Sequence, residues 1–217
     1  GLKKIVNLAI ANDWMHKNPF AGIRFQEKEV IREVLTKEEI ERMMCKEFAL
    51  PRLEYVRDVF IFCVFTGMAY VDVNNLRQEH IVRDNNDDLW IRKARQKTNN
   101  MCNIPLLKIP QLLMEKYKNH PLCTKTGALL PVPSNQKMNS YLKEIADFCG
   151  IQKNLTTHTA RHTFATVVAL ANGVSMENIA KMLGHSDIRM TQRYAKVMDS
   201  SIMRDMENVD KLFKSSE

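Results

Sequence analysis

Apolar positions along this chain recur mostly three and four residues apart, the period of a helix with one buried face. On this pattern, helices are predicted over 2–15, from the Thr36-x-x-Glu39 capping box onward, and over about 54–65, 71–76, 110–119, 135–149, 159–172, 175–183, 187–197 and 199–213. One region changes period. Between 80 and 105, "HIVRD", "DLWIRKARQ" and "MCNIPL" are short, rich in β-branched and aromatic residues, and separated by the turn-forming "NND" and "KTNN". The predicted fold is therefore mainly α with a small three-stranded antiparallel β-sheet, an α+β arrangement. The polar, Pro-interrupted "KNPFAGIRFQEKEVIRE" reads as a linker, and Gly127 with Pro131 and Pro133 marks a long loop before the 135–149 helix.

Composition narrows the partner. With 217 residues, 45% of them hydrophobic, the chain has material for one large domain, or for one domain plus a fragment. Lys and Arg number 32 against 25 Asp and Glu, a net charge of +7, which favours an anionic partner, most simply nucleic acid. The five cysteines are scattered and never form CxxC, so neither a disulfide framework nor a zinc site is expected, and a cytoplasmic location is the default. No apolar run approaches the roughly 20 residues that span a bilayer. Asn, Asp and His interrupt the opening segment where a signal peptide needs an unbroken apolar stretch.

Candidate chemistry sits in the last third. Residues 155–173 read "LTTHTARHTFATVVALANG". Phe164, Val167, Val168 and Ala171 have core spacing, and Thr157 and Thr159 are expected to cap the helix. His158, Arg161 and His162 lie three and four apart and project from one face. Positive charge near a helix N-terminus opposes the macrodipole, which points to an anion docking among these side chains. Farther on, "LGHSDIRMTQRYAKV" places His185 ahead of a helix that Ser186 is expected to cap, with Tyr194 nine residues after His185. An Arg fork matches phosphate oxygens, and His adds donors. A phenol is a weak nucleophile by itself. Held against a phosphate among cations, it can attack while charge building on the non-bridging oxygens is stabilised electrostatically. No carboxylate pair or metal-ligand cluster accompanies these residues in the sequence, so metal-free transfer is the expectation, with no cofactor.

"HTARHTFAT" followed by "LGHSDIRMTQRYAKV" resembles the tyrosine recombinase (phage integrase) family, through H-x-x-R-H, L-G-H and the Tyr nine residues beyond that His. The resemblance runs through roughly 34–198, taking in "VLTKEEIERM", the Thr66-Gly67 turn, the strand segment with its Lys, and "IPL". It implies the DNA breaking-rejoining catalytic fold and a site-specific recombinase or integrase of a prophage or integrative conjugative element. Tyr194 is then the nucleophile, forming a 3′-phosphotyrosine and releasing a 5′-hydroxyl, without metal or ATP. Arg161, His158 and His185 stabilise the pentacoordinate phosphate, and Lys97 protonates the leaving oxygen. Asp72 falls at the family's acidic position, and His162 is a structural hydrogen-bonding residue. The resemblance further implies double-stranded DNA sites, a tetrameric synapse and DNA-bending accessory proteins as partners, and a nucleoid-associated location without membrane attachment. It divides the chain into 1–20, the remnant of a core-binding helical domain; 21–34, a linker; 35–198, the catalytic domain; and 199–217, a C-terminal helix exchanged between protomers.

One position departs. Where the family has T-G-x-R, this chain has "TGMA", so Ala69 stands in place of an Arg. Loss of one preorganised donor is worth roughly 2.7–4 kcal/mol of transition-state stabilisation. Arg95 is two residues before Lys97, and alternate residues of a strand share a face. Arg95 is therefore the expected substitute, with Lys93 on the same face and Arg92 on the other; Tyr70, beside the gap, is a second expected phosphate partner. Arg77, Arg83, Arg92, Lys93, Lys125 and Lys137 are expected to bind backbone phosphates, giving affinity that falls with salt. Two other readings stay open: a DNA-binding module whose catalysis ended with Ala69, and a type IB topoisomerase.

Overall fold

The computed structural model describes residues 2–23 and 33–195, which fall in two compact units, one within Gly1–Ile31 and one from Arg32 onward. The predicted helices at 199–213, and the end of that at 187–197, lie outside the described residues.

The first unit contains α1 (Leu2–Ala11). It stops short of the predicted residue 15 because Asp13 takes a left-handed conformation (φ 55°), a common way to end a helix. Leu2, Ile5 and Leu8 are exposed, and Val6 is buried.

The second unit is built around one helix. After α2 (Lys37–Cys45), opened by the predicted Thr36–Glu39 capping box, comes α3 (Pro51–Thr66). Val56, Val59, Phe60, Ile61, Phe62 and Val64 are all buried, so α3 is apolar on every side and must be surrounded. It packs against α5 (Lys108–Tyr117), α7 (Asn135–Phe148) and α8 (Thr157–Thr163). Its two buried charges are satisfied locally. The Arg57 guanidinium donates to the carbonyls of Met43, Met44 and Lys46 at the end of α2, and Asp58 accepts from Tyr117 Oη at 2.7 Å and Lys116 Nζ at 2.7 Å.

Gly67 (φ 67°) closes α3, and a Cβ there would lie 2.7 Å from Leu183 Cδ2, so only glycine fits. Ala69 then leads into the short α4 (Tyr70–Asn74). The sheet is as predicted in type: β1 (Ile81–Arg83), β2 (Leu89–Ala94) and β3 (Met101–Pro105), antiparallel in the order β1-β2-β3. Ile91 pairs with Ile81 and Ile104, and both Ile91 and Ile104 are buried.

Several sequence expectations need correction. A further helix precedes the loop that Gly127 marks: α6 (Pro121–Thr126) carries Pro at its first turn and the left-handed Gly127 at its end, the usual helix punctuation. The 159–172 helix begins earlier and is not uniform. Thr156, not Thr157, is its cap, in a reciprocal pair with Thr159. After α8 the backbone widens to a π-helix over Phe164–Ala169 and narrows to a 3-10 turn at Leu170–Asn172. The Thr166 hydroxyl donates to the His162 carbonyl at 2.8 Å, a side-chain bond that competes with the regular ladder. Then α9 (Met176–Leu183) and α10 (Arg189–Ala195) follow. Asp187, not the exposed Ser186, accepts the Arg189 backbone N–H at the start of α10, at 2.8 Å. Among the described residues, no helix is long and apolar enough to cross a membrane.

Candidate active site

The site begins where α8 crosses the end of α3. Arg161 is 5% exposed, so its guanidinium cannot be solvated and must find acceptors in the fold. One terminal nitrogen donates to the Gly67 carbonyl at 2.6 Å and the other to the Leu183 carbonyl at 2.6 Å. Both carbonyls end helices, so the cation caps two orphaned C-termini, those of α3 and α9. The second nitrogen also lies 3.3 Å from His185 Nε2.

His185 follows Gly184 in the loop between α9 and α10, and its Nδ1 lies 2.7 Å from Thr191 Oγ1. Burial, then the positive charges of Arg161 and Arg95, push its pKa down from 6.5 to about 4. The Tyr194 ring, 8% exposed, stacks parallel to the His185 ring at 6.3 Å between centroids and lies 5.4 Å from the His162 ring. Phe164, Ile179 and Leu183 pack the same small core as Tyr194. His162, expected to be structural, thus touches the expected nucleophile.

The β2–β3 hairpin closes the other side. β2 ends at Ala94, so strand alternation holds as far as Ile91, Lys93 and Arg95 on the inner face but does not reach Lys97, which sits exposed in the turn. The Arg95 backbone N–H donates to Asn100 O at 2.9 Å, keeping its side chain on the inner face. Its charge, after burial, holds the Arg161 guanidinium below its ordinary pKa. Arg95 Nε is shielded from solvent and has no hydrogen-bond partner. Asp72, buried on α4, accepts the Gln96 backbone N–H at 2.9 Å and anchors the turn from one side. From the other, Thr98 Oγ1 at 3.4 Å and Asn100 Nδ2 at 3.3 Å donate to the Gly184 carbonyl. The Cys102 thiol lies among Arg161, Asp72 and Arg95, and burial raises its pKa.

Arg161, His185, Tyr194, Arg95, Asp72 and His162 therefore converge. His158 is exposed at the start of α8 and Lys97 at the hairpin tip. Ala69 is two residues beyond the Gly67 carbonyl that holds Arg161. The Tyr70 hydroxyl is engaged within the fold, donating to Pro133 O at 2.7 Å. Of the expected phosphate binders, Arg92, Lys125 and Lys137 are exposed. Three others are engaged in the fold: Arg77 with the carbonyls of Asn74 and Leu76, Lys93 with His80, and Arg83 with Asp87. Thr191, Thr98 and Asn100 were not singled out by the sequence; the one available signal was that Thr191 precedes Tyr194 by a helical turn. A cleft of about 940 Å³ lies elsewhere, lined by Arg83, Lys108, Gln111 and Leu129 among others, and none of the converging residues lines it.

Comparison with known proteins places the chain among related sequences and folds. The tyrosine recombinase XerD of Staphylococcus saprophyticus is 40% identical over 95 residues, 44% of this chain and 31% of that protein. XerD of Staphylococcus aureus is 42% identical over 71 residues, 33% of this chain and 24% of that protein. The aligned stretches thus span less than a third of these relatives. Among solved structures, XerA recombinase superposes with a TM-score of 0.63 at 22% identity, covering 95% of this chain and 73% of that one. A lambda integrase dimer bound to a core site gives 0.68 at 19% identity, covering 89% and 69%. These likenesses establish the fold. The match that extends from the segment before α2 to beyond Tyr194, residues 33–201, is to the phage integrase family, and this chain belongs to it.

Proposed function

We propose that this chain carries the catalytic part of a site-specific DNA recombinase that cuts and rejoins DNA through a 3′-phosphotyrosine. The carrying observation is the convergence of the Arg161 guanidinium, the His185 ring and the Tyr194 ring on one side, with Arg95 brought to them by the hairpin on the other. A phosphate docked there meets two guanidinium groups, one of them oriented by the His185 ring nitrogen. The Tyr194 oxygen attacks phosphorus, the bond to the 5′-oxygen breaks, and Lys97 gives that oxygen a proton while His158 assists removal of the phenol proton. A 5′-hydroxyl from a second strand reverses the sequence. Because the phosphodiester energy is kept in the phosphotyrosine, neither ATP nor a metal is required. Arg95 fills the role left by Ala69, and Arg92, Lys93, Lys125 and Arg77 belong to the DNA-facing surface.

The wider reading is an integrase of a prophage or integrative conjugative element, acting in the bacterial cytoplasm as a tetramer on paired sites with DNA-bending accessory proteins. Similar proteins support it: a Tn1549 transposon integrase solved with circular intermediate DNA superposes with a TM-score of 0.67 at 18% identity, covering 95% of this chain and 76% of that one. Residues 1–20 would end the core-binding domain, 21–34 link it to the catalytic domain at 35–198, and 199–217 dock on a neighbouring protomer.

Ala69 favours one competing reading, a DNA-binding module without catalysis. A nicked attachment-site duplex that traps the covalent intermediate separates the two. A covalent adduct that survives EDTA and is absent from Tyr194→Phe is expected. Specific binding with no adduct would establish the module instead.

A further inference from the structure

The proposed reaction gives His185 a task but does not say what aims it. The ring is held from both ends. An arginine nitrogen has no lone pair and can only donate, so the 3.3 Å approach of the Arg161 terminal nitrogen to Nε2 requires an unprotonated Nε2. A neutral imidazole carries one N–H, which must then be on Nδ1. The partner of Nδ1 is Thr191 Oγ1 at 2.7 Å, and Thr191 is fully buried on α10, one helical turn before Tyr194. No water competes for that oxygen, and the threonine cannot turn away without vacating a packed position.

We propose that Thr191 is a positioning residue: by accepting the Nδ1 proton it fixes the tautomer and orientation of His185 and points Nε2 at the Arg161 guanidinium. This rests on the recombinase reading only for its consequence, since the guanidinium is where the scissile phosphate docks. The arrangement also ties two functional groups to one helical turn. Thr191 sets the histidine and Tyr194 supplies the oxygen, so movement of α10 displaces both together. Without the acceptor, the ring rotates about Cβ–Cγ or exchanges its proton between nitrogens, and the Arg161 guanidinium loses its fixed acceptor beside the docking phosphate. Arg161, Arg95 and Tyr194 face this ring, and the hydrogen-bond partner at Nδ1 is Thr191.

The test uses the intact protein and two substitutions. Thr191→Val keeps the volume and removes the acceptor; Thr191→Ser keeps the hydroxyl. Long-range proton–nitrogen spectra of the DNA-free wild type should show His185 as the Nδ1–H tautomer, and Thr191→Val should show a mixture of tautomers or the other form. On the nicked duplex, Thr191→Val should lose about tenfold in the rate of adduct formation, the scale of one hydrogen bond, with DNA affinity unchanged. Thr191→Ser should recover most of that rate. A wild-type Nε2–H tautomer, or a Thr191→Val protein with the wild-type spectrum and rate, would overturn the proposal. If the wild type shows the Thr191-dependent tautomer and yet forms no adduct, the positioning role stands and the recombinase reading falls.

Discussion

The two halves of the candidate site are held by different means. On one side, Arg161 is buried and tied by two 2.6 Å bonds to carbonyls that end α3 and α9, while His185 and Tyr194 stack within a small apolar core. On the other, Arg95 and Lys97 belong to a hairpin end held at three points: the Asp72 carboxylate on the Gln96 amide, and the Thr98 and Asn100 side chains on the Gly184 carbonyl. The first half cannot move without opening the core. The second can leave by breaking a few hydrogen bonds. Under the proposed recombinase reading, a site that admits a DNA strand, cuts it and lets it exchange suits this division, with a fixed clamp for the phosphate facing a hairpin that is only latched.

The largest expected effect tests whether the hairpin half is catalytic. Arg95→Lys keeps the charge but loses the planar fork and its buried Nε. If Arg95 replaces the guanidinium absent at Ala69, adduct formation should fall by about 10²–10³-fold, the usual consequence of losing one preorganised donor. DNA affinity measured on the same duplex should stay nearly unchanged. Equal loss of cleavage and binding would reduce Arg95 to an ordinary backbone-phosphate contact and leave the fixed half to act alone.

The fixed half can be probed by pH. In the unfolded chain His185 takes a proton near pH 6.5, whereas in the fold burial, Arg161 and Arg95 delay that step to about pH 4. Between these values the unfolded state binds more protons, so the contribution of His185 makes stability fall as pH falls. Above 6.5 the two states are alike, and below 4 both are protonated and the loss is complete. The total is on the order of 3 kcal/mol. Urea unfolding at steps from pH 7 to 4 should show a steeper decline for the wild type than for His185→Asn. Parallel declines would mean that the ring is not enclosed by those charges.

These two halves were unequally legible in the sequence. Arg161, His185 and Tyr194 announced themselves because H-x-x-R-H and L-G-H with the Tyr nine residues on are short local motifs, readable without knowledge of the fold. The mainly helical fold with its three-stranded sheet was equally readable from the change of period at residues 80–105. The strand period also put Arg95 and Lys93 on one face, but alternation stops at Ala94, so it could say nothing of Lys97. The latches were invisible: Thr98 and Asn100 meet Gly184 across more than 80 residues, and no local pattern encodes such a contact. The fold partners of the Tyr70 hydroxyl and the Arg77 guanidinium were equally invisible: both donate to backbone carbonyls, as buried polar groups usually do.

The smallest expected effect concerns the latch itself. Thr98→Ala with Asn100→Ala removes both side-chain donors to Gly184 O but leaves the Arg95–Asn100 backbone pair intact. Both bonds are long, 3.4 and 3.3 Å, so each should contribute at the lower end of about 0.5–1.5 kcal/mol. Global stability should therefore drop only slightly. Amide hydrogen exchange should locate the change, with faster exchange at Gln96 through Asn100 and none at the amides of α8 and α9. Because Asp72 still holds the Gln96 amide, the hairpin should loosen rather than detach, and cleavage should slow by less than in Arg95→Lys. Exchange that quickens equally around Arg161 would mean the halves move as one body. The contrast between clamp and latch would then be lost.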